Sequence, residues 1–156
     1  MSDAIPRLST PAWQGFHHLA LATAELDATI RFYGDVLGMQ VGDIAPATGR
    51  RGRHVFVKPG AGDSWGIHFW EHPAAPRRTP PQEWSAESLG TYAYEWGALN
   101  HVAFALPDQS AADALRARLA RHDIRTTPPN RIGLICNVLF FDNNGIMLEA
   151  TWPSHE

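Results

Sequence analysis

The sequence repeats itself, and the repeat restricts the folds open to it. "HHLALA" at 17–22 and "NHVAFA" at 100–105 alternate in the same way, and each precedes a segment with apolar residues at helical spacing. In the first, "AELDATIRFYGDVLG", Leu26, Ile30, Tyr33 and Leu37 share a face, Glu25 and Asp27 stand in the first turn, and Gly38 supplies a stop. In the second, "DQSAADALRARLARHD" over 108–123, Ala112, Leu115 and Leu119 share a face behind the start signal Pro107-Asp108. Short strand-like runs follow each helix. They are "MQVGDI" (39–44), "RHVFVK" (53–58) and "WGIHFWE" (65–71), then "IRTT" (124–127), "LICNVLFF" (134–141) and "IMLEAT" (146–151), the last two joined by "DNNG". The expected class is α+β, with two tandem βαβββ modules at 15–71 and 98–152.

Residues 72–97, between the modules, are rich in Pro, Arg and Ser and carry Trp84, Tyr92, Tyr94 and Trp96; they read as a linker with aromatic anchors. At 156 residues and 44% hydrophobic content the chain is expected to form one domain over 1–156. Thirteen basic against sixteen acidic residues give a formal charge of −3, and no basic run is longer than the short cluster Arg50, Arg51 and Arg53. Nucleic acid and anionic membrane are therefore not expected as partners. The single cysteine, Cys136, cannot form an internal disulfide, and "MSDAIPRLSTPAW" lacks the charged and apolar regions of a signal peptide, so a cytoplasmic location is expected. No apolar run approaches the roughly 18 residues of a membrane span.

Superposing the halves selects a set of polar residues. His18 falls on His101, 83 residues later, and His68 falls on Glu149, 81 residues later. Side chains alternate along a strand, so His18 shares a face with Phe16, Ala20 and Ala22, while His17 goes with the larger Leu19 and Leu21 expected beneath a helix. His101 likewise keeps company with Ala103 and Ala105. Small neighbours leave room for a cavity on the histidine side of both modules. Three imidazoles and a carboxylate suit a divalent ion, Zn, Ni, Co, Mn or Fe(II), which also offsets the cost of a carboxylate in an apolar cup. His17 reads as a structural residue, and His54, His122 and His155 as surface residues. Trp65, Trp70 and Trp152 read as packing residues, with Trp70 on the parity of His68 and therefore at the cavity wall; Cys136 reads as a small core residue. Glu71 has the opposite parity to His68, and the arginine cluster reads as a solvated loop that could alternatively hold a substrate carboxylate.

"HHLALATAELDATIRFYGDVLG", "IHFWE", "NHVAFAL" and "FFDNNGIMLEA" together resemble the vicinal oxygen chelate superfamily, which holds glyoxalase I, extradiol dioxygenases, methylmalonyl-CoA epimerases, fosfomycin resistance enzymes and bleomycin-binding proteins. The resemblance covers 16–71 and 98–152. It implies eight strands curled into a mixed-sheet cup with the helices outside, a homodimer, and one divalent metal at His18, His68, His101 and Glu149. It also implies a small substrate that chelates the ion through adjacent oxygens, with Glu149 and His68 as candidate catalytic groups. The leading expectation is a glyoxalase-like lyase or isomerase; the alternatives are an Fe(II) dioxygenase and a metal-free drug-binding protein. Familiar two-domain extradiol enzymes carry a tyrosine and a further histidine shortly before the glutamate, where this chain has "NRIGLICNVLFF" with Leu139 near the tyrosine position. Glyoxalase I members generally have a carboxylate at the position of His68.

Overall fold

In the computed structural model, which describes residues 15–49, 51–61, 66–95 and 97–154, the duplication appears as two modules of one connectivity. Arg50, Trp65, Trp96, His155 and residues 1–14 lie outside the described residues. Module one runs β1 (His18–Thr23), α1 (Leu26–Ile30), β2 (Gln40–Val41), β3 (His54–Lys58) and β4 (Gly66–Glu71). Past Ile30 the helix widens into a π-helical stretch, Arg31–Val36, whose end is marked by the Leu37 N–H donating to the Phe32 carbonyl at 2.9 Å. After α2 (Ala86–Tyr94), module two runs β5 (Val102–Ala105), α3 (Gln109–Arg121), β6 (Asn130–Ile132), β7 (Ile135–Phe141) and β8 (Met147–Pro153). The fold is α+β, as the sequence implies. Hydrogen bonds divide the eight strands into two four-stranded mixed sheets, ordered β1-β4-β3-β2 and β5-β8-β7-β6, each pairing the outer strands of its module in parallel.

Three segments differ from the sequence reading. "IRTT" is no strand: Thr127 exchanges two hydrogen bonds with Leu139, but Pro128 and Pro129 have no N–H to extend the ladder, and β6 begins only at Asn130. "MQVGDI" contracts to the two residues of β2. The linker contains a helix, α2, because Ser85 and Ser88 cap each other, each accepting from the other's backbone N–H at 3.0 Å. Its Leu89, Tyr92 and Ala93 then bury on Phe141 and Met147.

Strand alternation sorts the two sheet faces. Val55, Val57, Ile67 and Phe69 of module one, and Val138, Phe140, Leu148, Ala150 and Trp152 of module two, join Leu26, Phe32, Tyr33, Ala112 and Leu119 of the helices in one core. Every one of these is at most 6% exposed, so the helix-facing sides of both sheets are committed to a common interior. The opposite faces, bearing His18, His54, Phe56, His68 and Trp70 in one module and His101, Asn137, Leu139 and Glu149 in the other, are left for other purposes.

A buried polar seam locks the modules together through the "DNNG" turn. Thr23 Oγ1 donates to Asn144 Oδ1 at 2.8 Å, the Asn143 amide donates to Thr29 Oγ1 at 3.0 Å, and the Tyr33 hydroxyl donates to Asp142 Oδ2 at 3.1 Å. Burial raises the Asp142 carboxyl above its ordinary range, while N–H donors from Ile146 and Asn144 pull the other way. Tyr33→Phe keeps the ring that lies 4.8 Å from Phe69 and deletes only the bond across the seam. The expected loss is about 1 kcal/mol, or a Tm lower by about 3 °C in calorimetry; an unchanged Tm would show that the seam contributes nothing at this point.

Candidate functional site

Each module presents its own polar cluster, and strand register builds both. In module one Ala20 and Phe56 both pair with His68, and His54 pairs with Trp70, so that Phe56 stacks on the imidazole of His68 at 3.9 Å between centroids. His68 is 7% exposed. Its Nδ1 accepts from Trp70 Nε1 at 3.1 Å and its Nε2 lies 2.9 Å from His54 Nδ1, while His54 itself stacks on Trp70 at 4.1 Å. His18 approaches edge-on, its ring 5.6 Å from that of His68, and its Nδ1 is 2.8 Å from His17 Nδ1. Burial pushes the His68 imidazole below its ordinary value, helped by His54 and His18.

In module two Glu149 pairs with Ala103 on one side and Leu139 on the other. Its carboxylate is held at both oxygens: Asn137 Nδ2 donates to Oε1 at 2.6 Å, and His101 Nε2 lies 2.8 Å from Oε2. His101 stands one residue before β5, and its Nδ1 is 2.6 Å from the Asn100 amide oxygen. The pair borders a cleft of about 360 Å³ between α2 and the sheet. His18 and His101 also border a second cavity of about 530 Å³ between β1 and β5, largely apolar, with Phe16, Ile67 and Phe104 in its walls.

Of the four residues selected by the duplication, His18 lies beside His68 and His101 beside Glu149, and His18 and His101 border one cavity. Among the described residues no three of His, Cys, Asp and Glu converge on a point where they could hold a metal. His54, read from the sequence as a surface residue, is half-buried against His68 and Trp70; its parity with Phe56 on β3 was the signal that could have placed it. Asn137 was missed for the opposite reason, since nothing in "ICNVLFF" singles out an amide until β7 is paired with β8. Trp70 stands at the wall beside His68 as its parity requires. Glu71 turns away to Arg53, which lowers its carboxyl below the ordinary range; Arg53 also pairs with Asp27, so this arginine is part of a structural ion network.

The sequence profile of the Glyoxalase/Bleomycin resistance protein/Dioxygenase superfamily matches residues 15–150. A comparison with curated proteins finds no match. Among solved structures, the glyoxylase/bleomycin resistance protein/dioxygenase domain from Frankia sp. EAN1pec superposes with a TM-score of 0.70 at 21% identity, covering 92% of this chain and 95% of that one. The antibiotic binding protein TnmS3 from Streptomyces sp. CB03234 gives 0.63 at 16% identity, covering 93% of this chain and all of that one (100%). Lactoylglutathione lyase from Agrobacterium tumefaciens gives 0.59 at 20%, covering 91% and 96%. At these identities the likenesses speak for the fold, with the residue-level match resting on the profile, and the chain belongs to the glyoxalase/bleomycin resistance protein/dioxygenase superfamily.

Proposed function

We propose that the protein is a metal-dependent lyase or isomerase of the glyoxalase kind, acting on a small molecule with adjacent oxygens. The observation that carries this reading is Glu149: a carboxylate 8% exposed, oriented at both oxygens, at the border of a small-molecule cleft. His18, His68, His101 and Glu149 are the ligands we assign to one divalent ion, Zn, Ni, Co, Mn or Fe(II). Their chemistry fits such an ion, but within one chain they stand as two half-sets, which supports a homodimer in which the His18–His68 pair of one copy meets the His101–Glu149 pair of another. His101 Nε2 and Glu149 Oε2 lie 2.8 Å apart, so an ion held by both would replace this direct contact. His68 carries a further restriction. Because Trp70 donates to Nδ1, the ring proton of neutral His68 sits on Nε2 and points at His54, so His68 ligates only after one of these bonds is exchanged.

A bound ion would polarise a substrate carbonyl and acidify the neighbouring C–H. Glu149 takes that proton at Oε2 and returns it to the adjacent carbon as the hydroxyl proton passes from one substrate oxygen to its neighbour, while the Asn137 amide keeps Oε1 fixed, so that the carboxylate does not swing between the two transfers. Leu139 and Met147 give the cleft apolar walls beside the carboxylate. This arrangement favours proton transfer over ring cleavage by oxygen, because the position opposite Glu149 on β7 is filled by Leu139, which has no proton to give. The metal-free binding reading draws on the hydrogen bonds that occupy both ring nitrogens of His68.

The first test is metal content by plasma mass spectrometry on protein purified without a metal-affinity tag. About one ion per chain is expected, with His101→Ala abolishing it; no ion under any loading condition returns the protein to the binding class. Proton transfer is read with dihydroxyacetone, an α-hydroxyketone, as deuterium uptake from solvent by NMR. Glu149→Gln is expected to slow uptake about 100-fold or more while metal content falls far less; equal losses would make Glu149 a ligand only. Mixing His18→Ala with His101→Ala protein should restore metal to about a quarter of the wild-type content, because half the dimers are then mixed and hold one intact site of two. No recovery on mixing would place the whole site within one chain.

A further inference from the structure

We infer that Gly90 sets the wall of the cleft beside His101 and Glu149, and that this cleft admits an uncharged molecule about the size of a single ring. The inference rests on the reading of that pair as the reacting site. The role of the segment between the modules follows from it.

α2 is fastened over the histidine face of module two at both ends. Trp84, just before it, packs edge-on against Phe141 at 5.1 Å between ring centroids, and the Tyr92 hydroxyl near its end donates to the Gly145 carbonyl at 2.6 Å. Gly145 has φ +82°, and a Cβ there would collide with the Arg78 carbonyl, so the chain leading to α2 lies directly on the "DNNG" turn. The helix is thus a preformed wall, held by the same turn that joins the modules.

Within that wall Gly90 is anomalous. Glycine is among the weakest helix formers, and in a helix interior it is normally explained by a neighbour too close to admit a Cβ. Among the described residues a Cβ at Gly90 would meet nothing within 4 Å, yet Gly90 borders the cleft. The space belongs to the cleft and not to packing, and any longer side chain at this position projects into it. Ala93 one turn on, also bordering the cleft, is similarly short.

Size and charge then limit the occupant. Within one chain the cleft holds about 360 Å³, near the bottom of the usual small-molecule range of roughly 300–1,000 Å³, which suits a body of one ring beside the pair. Its polar end is formed by His101, Asn137 and Glu149, its apolar walls by Leu139 and Met147. No lysine or arginine is among the described residues that border it, so a carboxylate or phosphate on the buried body of the ligand would have no counter-charge and would face Glu149.

Acetohydroxamate, benzohydroxamate and para-carboxybenzohydroxamate share one pair of adjacent oxygens and differ only in the body attached. Titrating each by calorimetry, with zinc and with chelator, into wild-type protein and the Gly90→Ala and Gly90→Leu variants tests the inference. Alanine and leucine both form helix better than glycine, so α2 is retained, and circular dichroism checks this. In wild type with zinc, benzohydroxamate is expected to bind about tenfold or more tighter than acetohydroxamate, from the ring surface buried, and the carboxylated compound no tighter than acetohydroxamate. Gly90→Ala should preserve the ring preference and Gly90→Leu abolish it, with acetohydroxamate affinity and metal content unchanged. A ring preference that survives Gly90→Leu, an equal loss for both hydroxamates, or tight binding of the carboxylated compound overturns the inference. Acetohydroxamate binding that ignores the metal overturns instead the reading of the pair as part of a metal centre, and does so without reference to Gly90.

Discussion

The burial of one face of each sheet in a shared core is the constraint from which the site follows. Strand side chains alternate, so once Val55, Val57, Ile67 and Phe69 go inward, His54, Phe56, His68 and Trp70 must go outward, and the same holds for Val138, Phe140 and Leu148 against Asn137, Leu139 and Glu149. A one-residue slip in any strand would bury the polar set and expose the apolar one. The register that holds the core is therefore also the register that presents the chemistry. The seam at "DNNG" adds the fixed relation between modules, since Thr23, Thr29 and Tyr33 of one reach Asp142, Asn143 and Asn144 of the other through buried and part-buried hydrogen bonds.

The two modules spend their equivalent positions differently. His68 lies in a mostly aromatic setting where Trp70 and His54 define its hydrogen bonding, and burial keeps it neutral at physiological pH. Glu149, its counterpart, lies in a hydrogen-bonded amide and imidazole setting suited to a charged group. One fold unit, used twice, yields an electron-pair donor on one face and a carboxylate on the other.

Much of this was legible in the residues. Alternation and helical spacing locate both βαβββ modules, and superposing the halves singles out His18, His68, His101 and Glu149 before any coordinates are considered. What escaped were residues whose importance depends on pairing across strands. His54 looks like any strand-end histidine until β3 is set antiparallel to β4, and Asn137 looks like a polar interruption until β7 lies beside β8. The helix α2 was hidden because its cap uses serine at both positions and Gly90 stands in its middle, so that its stability comes from docking on Phe141 and Met147.

The sequence by itself determined the duplication, the parity of each strand and the set of candidate ligands, because periodicity is a local property of the chain. Tertiary structure alone decided that those candidates stand as two pairs, that the linker folds into a wall over one of them, and that Glu71 serves Arg53 and not the site. These outcomes depend on contacts between residues tens of positions apart, whose distances and hydrogen-bond directions no local pattern encodes.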